Sequence, residues 1–229
     1  LPARLSDPVA FPAAVTLLEH ERLQNGNSGT ICSILYRLVE KDPPVHVVRA
    51  LPRLDSLAWK LWKIVQAEQS ERSEPEDWLQ EAINTSAGIL AEYVVTSLSV
   101  QVRAEPGASP PPMPAALRRL MLDMLDTPSM NGGFCRSVYA SQVGFLYGLD
   151  SDLTTQHLLP LFESLSPSIR AQAWQGFLTW GNLYPALANA MRSAFAAALA
   201  GDHGAFGRST DSFAEHLMLA GAMIGDACA

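Results

Sequence analysis

The sequence predicts an all-α domain: an irregular stack of about eleven helices in antiparallel hairpins, a HEAT-like α-solenoid or helical bundle. Three observations carry that expectation. Ala and Leu supply 62 of the 229 residues, and both favour helix. Apolar residues recur at i, i+3, i+4 and i+7 along most of the chain. Cap residues and prolines repeatedly bracket those runs.

Asp7-Pro8 and Pro12 mark a first helix start, since Asp caps and Pro suits the first turn. Val15, Leu17 and Leu18 follow, and Asn25-Gly26 predicts the stop. Ile31, Ile34, Leu35, Leu38 and Val39 form an amphipathic stripe that Asp42-Pro43-Pro44 ends. A short helical piece over 44–51 is expected to break at Pro52. Leu54, Leu57, Ala58, Leu61, Ile64 and Val65 then mark a separate helix. Ser73 and Glu76 have capping-box spacing ahead of Trp78, Leu79, Ala82 and Ile83. Asn84-Thr85-Ser86 interrupts the pattern, and Ser86 is positioned to cap a helix carrying Ile89, Leu90, Tyr93, Val94 and Leu98. Val94-Val95-Thr96 is β-branched, but the helical period runs through it.

Residues 106–114 hold five prolines in nine positions, which excludes helix and central strand. The chain is thus one domain over 1–229 with a long surface loop, or two subdomains, 1–104 and 115–229, joined by the Pro-rich stretch 105–114. The loop is the simpler reading. Beyond it, Leu117, Leu120, Met121 and Met124 share a helical face. Pro128 and Asn131-Gly132-Gly133 read as a turn. Helices are expected around Val138, Gln142 and Phe145, around Leu153 to Leu165 with a kink at Pro160, and behind the Ser166-Pro167 cap. Two more carry Leu187, Met191 and Phe195, and then Phe213, Leu217 and Ala220.

Composition narrows the function. Apolar residues are 48% and charged residues 17%, the reverse of a disordered chain. Sixteen basic residues face 23 acidic ones, for a net charge of −7. Binding to nucleic acid or an anionic membrane needs a basic footprint, and Arg118-Arg119 is the densest basic spot. Cys32, Cys135 and Cys228 have neither CxxC nor ligand spacing. Such sparse cysteines are expected to be buried hydrophobes in a reducing cytoplasm. No run of 18 apolar residues predicts a membrane span. The chain begins Leu-Pro-Ala-Arg without an initiator Met, which reads as a piece of a longer protein with something upstream.

Motifs for chemistry are scarce. The histidines His20, His46, His157, His203 and His216 form no HExxH, HxH or HxxxH pairing. His157 falls on an apolar face, where a buried, hydrogen-bonded imidazole is the expectation. Asp211 and Glu215 share a face that reads as solvated. There is no GxSxG, P-loop or GxGxxG. Trp59, Trp62, Trp78, Trp174 and Trp180 are packing residues or an aromatic hot spot for a partner, and packing is the commoner use.

Asp77-Trp78-Leu79-Gln80-Glu81-Ala82-Ile83-Asn84, followed by Ala87-Gly88-Ile89-Leu90-Ala91-Glu92-Tyr93, makes a first block. The run from Gln142 to Asp150 makes a second, and His157 to Phe162 with Ala173-Trp174-Gln175-Gly176-Phe177-Leu178 a third. Together with Leu5-Ser6-Asp7-Pro8 they resemble a bacterial, all-helical family of unknown function. Its members tend to lie C-terminal to sirtuin-like domains in large, often defence-associated proteins. The resemblance implies that NAD chemistry belongs to an upstream domain and that this piece is its regulatory or recognition arm. It transfers no catalytic, cofactor-binding or metal residue. The positions singled out are Trp78, Asn84, Gly88, His157, Trp174 and Gly176, in structural or interaction roles. Asn84 is expected to satisfy orphan backbone groups between two helices, and Gly88 to permit close helix approach. The expectation is therefore a non-catalytic module that needs no cofactor, partnered by a protein or by the upstream domain in cis, with homo-oligomers open. The alternative is a small hydrolase or NAD-consuming enzyme with a site assembled from scattered residues.

Overall fold

Thirteen α-helical segments and no strand occupy the described residues of the computed structural model, which are 7–68, 73–104, 111–201 and 203–226. The all-α expectation holds. Helix α1 spans Phe11–Leu18, α2 Glu21–Val39 and α3 Val45–Ala67. The expected stop at Asn25-Gly26 appears as a kink inside α2: two helical segments meet at Asn27, whose backbone is non-helical, φ −142° and ψ 29°. The expected break at Pro52 is corrected, since α3 runs through it. Proline inside a helix costs roughly 3 kcal/mol. Val47, Leu51, Leu54, Leu57, Ala58, Leu61, Trp62 and Val65 nevertheless bury one continuous face across it, and each such side chain contributes about 1.5–3 kcal/mol.

Helix α4 spans Trp78–Ala82, α5 Ser86–Ala104 and α6 Ala115–Asp126. The cap of α4 is Asp77, whose carboxylate accepts from the Gln80 N–H at 2.9 Å, and not Ser73. Thr85, not Ser86, caps α5, its hydroxyl accepting from the Gly88 N–H at 3.1 Å. Residues 105–110 of the Pro-rich stretch lie outside the described residues, and 111–114 lead without regular structure into α6. Buried residues from both sides of that stretch belong to one hydrophobic cluster.

Helix α7, Met130–Ser141, is the centre of the molecule, packed by α4, α5, α6 and α10. Every residue from Gly132 to Ser141 is buried. Asn131-Gly132-Gly133 is therefore no turn but the start of this helix. The turn is 127–129, and the glycines serve close packing: a Cβ on Gly132 would lie 2.0 Å from the Thr127 carbonyl oxygen, and one on Gly133 2.5 Å from the Trp78 ring. Asn131 donates to the Val65 carbonyl at 2.8 Å, covering the end of α3.

The second half uses shorter pieces: α8 Val143–Leu149, α9 Ser151–Leu153, a π turn Thr154–Leu158 and a 3₁₀ turn Leu159–Glu163. Helix α10, Pro167–Trp180, starts at the expected Ser166 cap, which accepts from the Ile169 N–H at 3.4 Å. Helices α11 Pro185–Ala190 and α12 Arg192–Ala200 replace one expected helix, divided at Met191, φ −89° and ψ 4°. Helix α13, Thr210–Asp226, is the last element of the described residues. No described helix is long and apolar enough to cross a membrane.

Candidate functional site

The singled-out residues divide by what they touch. Trp174, 1% exposed, lies within 5.1–6.1 Å of the ring centroids of Phe162, Phe177, Phe195, Phe206 and Phe213. Its indole N–H donates to the Phe162 carbonyl at 3.1 Å. Trp78, 3% exposed, packs against Phe134, and its backbone N–H donates to the Gln175 side chain at 2.9 Å. Gly88 and Gly176 are contact points of backbone on backbone: a Cβ would sit 2.0 Å from the Ala82 carbonyl oxygen and 2.1 Å from that of Ser137. Exposed Asn84 donates from its side chain to the Gln80 carbonyl at 3.1 Å, covering the end of α4. His157, in the π turn Thr154–Leu158, is half-buried and not buried as expected.

Polar groups missed in the sequence prove to be internal fasteners. Arg136, buried on α7, donates to the Leu125 and Thr127 carbonyls at 2.9 and 2.8 Å and to Gln172 at 2.6 Å. Its charge meets the C-terminal end of α6, where the helix dipole is negative. Buried Asp55 accepts from Tyr93 at 2.6 Å and Ser97 at 3.2 Å. Burial still pushes its carboxyl up to about 6. The signal for both was a charged residue at an apolar helical position. Desolvation also pushes the Cys32 thiol up to about 12, and Cys135 is raised in the same way, so neither is a nucleophile at neutral pH. Trp62 donates to Asp123 at 2.6 Å, and the Trp59 ring carries Lys63 and Arg119 at 4.6 and 4.7 Å.

One cleft stands apart from these fasteners. It has a volume of about 470 Å³ and lies between α2, α5, α7, α8 and the end of α10. The aromatic Tyr36, Phe145 and Trp180 line it with Glu92, Val95, Thr96 and Ser99 of α5 and with Val138, Ser141 and Gln142. Glu92, Thr96 and Ser99 follow at i, i+4 and i+7, a polar stripe on an otherwise apolar helix. That stripe was the available signal, and the apolar count around it hid it.

Glu92 is the exception among the carboxylates. Five described carboxylate residues are withdrawn from solvent: Glu19, Asp55, Glu92, Asp123 and Asp150. Glu19 pairs with Arg53, Asp123 with Lys63, Asp150 with Arg118, and Asp55 with its two hydroxyls. Glu92 has no hydrogen-bond or ion partner among the described residues. Desolvation first, and the Glu40 charge second, push it up to about 7. The Tyr36 phenol is raised by burial and by the same two carboxylates.

Two other clefts, each about 420 Å³, carry less. One mixes Arg37 with Glu40 and Asp42. The other contains Arg170 and Arg208, already engaged by the Ser164 carbonyl and by Glu76. Among the described residues no three His, Cys, Asp or Glu side chains are grouped to hold a metal. No family model, curated protein or solved structure matches the chain.

Proposed function

We propose that this chain is a non-catalytic helical scaffold and recognition module of a larger bacterial protein, with the Glu92 cleft as its recognition site. The carrying observation is the contrast between that cleft and the rest of the interior. Elsewhere, buried carboxylates, the buried arginine and most tryptophans are tied to partners within the fold. Here three aromatic residues and an unpaired carboxylate line an open space. An exposed Trp180, two half-buried rings and an unsatisfied charge are what a partner's side chain completes.

The sequence blocks that resemble the sirtuin-associated family support a setting for this module. It regulates or targets an upstream sirtuin-like, NAD-consuming domain, in the cytoplasm and in anti-phage defence, and its helical hairpins follow a HEAT-like order. The reading frame that encodes the chain tests this part. A sirtuin-like domain upstream supports it, and a frame without one contradicts it.

A second reading has one observation in its favour. A carboxyl titrating near 7 in a cleft is what general acid–base catalysis needs, so a small hydrolase is the alternative. Incubating the chain with NAD and with ester, phosphoester and peptide substrates separates the two. Recognition predicts no turnover that Glu92→Gln abolishes; such turnover makes the chain an enzyme.

A further inference from the structure

We propose that the cleft binds an organic monocation, an alkylammonium or guanidinium group, held between the Glu92 carboxylate and the rings of Tyr36, Phe145 and Trp180. This rests on the recognition reading above, which supplies the source: a lysine or arginine side chain of a protein partner.

Two features of the cleft favour a cation over an apolar group, and its volume admits one. First, the lining contains a carboxylate and no Lys, Arg or His. A carboxylate accepts hydrogen bonds and cannot donate them when ionised, so an ammonium or guanidinium is its complement. Second, the aromatic walls suit the same ligand, because ring faces are negative and attract a desolvated cation within about 6 Å. The protein uses this interaction internally at Trp59, where Lys63 and Arg119 already lie over the ring. Trp180 is 48% exposed and has no such cation among the described residues. The volume, about 470 Å³, is the scale of a small-ligand or side-chain pocket. A free carboxylate ligand would meet Glu92 and the nearby Glu40, just past the end of α2, and is disfavoured by repulsion.

Ionisation of Glu92 is part of the recognition. The titratable groups near it are Tyr36 of α2 and Glu40 just past the end of α2; α7, α8, α10 and the α7–α8 junction contribute only Val138, Ser141, Gln142, Phe145 and Trp180 to the lining. Cation binding is therefore expected to strengthen as pH rises through about 7, where Glu92 ionises.

The test is calorimetric titration of the chain with butylammonium, butylguanidinium, 1-butanol and butyrate, and with a short acetylated, amidated peptide containing one lysine. The cations and the peptide should bind at least tenfold more tightly than butanol, and butyrate should not bind. Glu92→Gln, confirmed folded by circular dichroism, should weaken the cations at least tenfold. Trp180→Ala should weaken them several-fold. Trp59→Phe, outside the cleft, should leave them unchanged. Binding of butylammonium without the lysine peptide would overturn the protein source and leave a small amine as ligand. Equal affinity for butanol and butylammonium, no cation binding, or binding unaffected by Glu92→Gln would overturn the proposal. The recognition reading fails separately. If cations bind but both cleft variants leave the activity of the whole encoded protein unchanged, the site is real and the recognition role is not. If no cation binds and the variants still alter that activity, recognition stands and the ligand class is wrong.

Discussion

Helix α10 carries two tryptophans six positions apart, and they live in different worlds. Trp174 is 1% exposed, surrounded by five phenylalanine rings, with its N–H bonded. Trp180 is 48% exposed at the edge of a cleft that also holds an unpaired carboxylate. In the first region aromatic surface is covered, and all five phenylalanine rings meet Trp174 edge to face, a favoured geometry for rings. In the second, aromatic surface is left for something else to cover. A residue type does not disclose its role; the completeness of its surroundings does.

That contrast breaks down if the two regions respond alike to truncation. Trp174→Ala should show the largest effect, a loss of about 3–5 kcal/mol, because a large buried side chain leaves a cavity. Thermal or denaturant unfolding measures it. Next comes Gly176→Ala, where a methyl group 2.1 Å from the Ser137 carbonyl oxygen must force α7 and α10 apart. Overpacking of this kind costs about 1–3 kcal/mol. Asn84→Ala removes one exposed hydrogen bond to the Gln80 carbonyl and should cost about 1 kcal/mol or less. Trp180→Ala should change stability by less than about 0.5 kcal/mol, as expected of a surface position. A large loss there would make the cleft a structural seam.

The pH dependence sharpens the same comparison. Glu92 has a folded-state value near 7 against an ordinary 4.5. The native state therefore holds a proton that the unfolded state has released, and stability falls as pH rises between those values. Asp55 contributes in the same direction between 3.8 and about 6. Glu92→Gln should flatten the upper part of this slope and raise stability above pH 7. Asp55→Asn should flatten the lower part, while disturbing the bonds from Tyr93 and Ser97.

The apolar stripes of α2, α3 and α6 were legible in the sequence because each buries a single face, which periodicity reports. Helix α7 was misread at its start because it is buried all round: the rule that equates Asn-Gly-Gly with a turn competes there with the need for side chains small enough to fit under Trp78 and Thr127. Pro52 was misread because local propensity is weaker than a continuous buried face. The cleft was invisible for a different reason. Tyr36, Glu92, Phe145 and Trp180 are spread over four helices, and no spacing rule joins residues that only the tertiary fold brings together.

The central claim, that Glu92 is an unpaired carboxylate waiting for a cation, has a direct spectroscopic test. The carboxyl carbon of Glu92 can be followed by NMR across pH, with and without butylammonium. The account predicts a midpoint near 7 in the free protein, shifted downward when butylammonium is present, because a bound cation favours the ionised form. A midpoint near the ordinary 4.5 that does not move with butylammonium would contradict it.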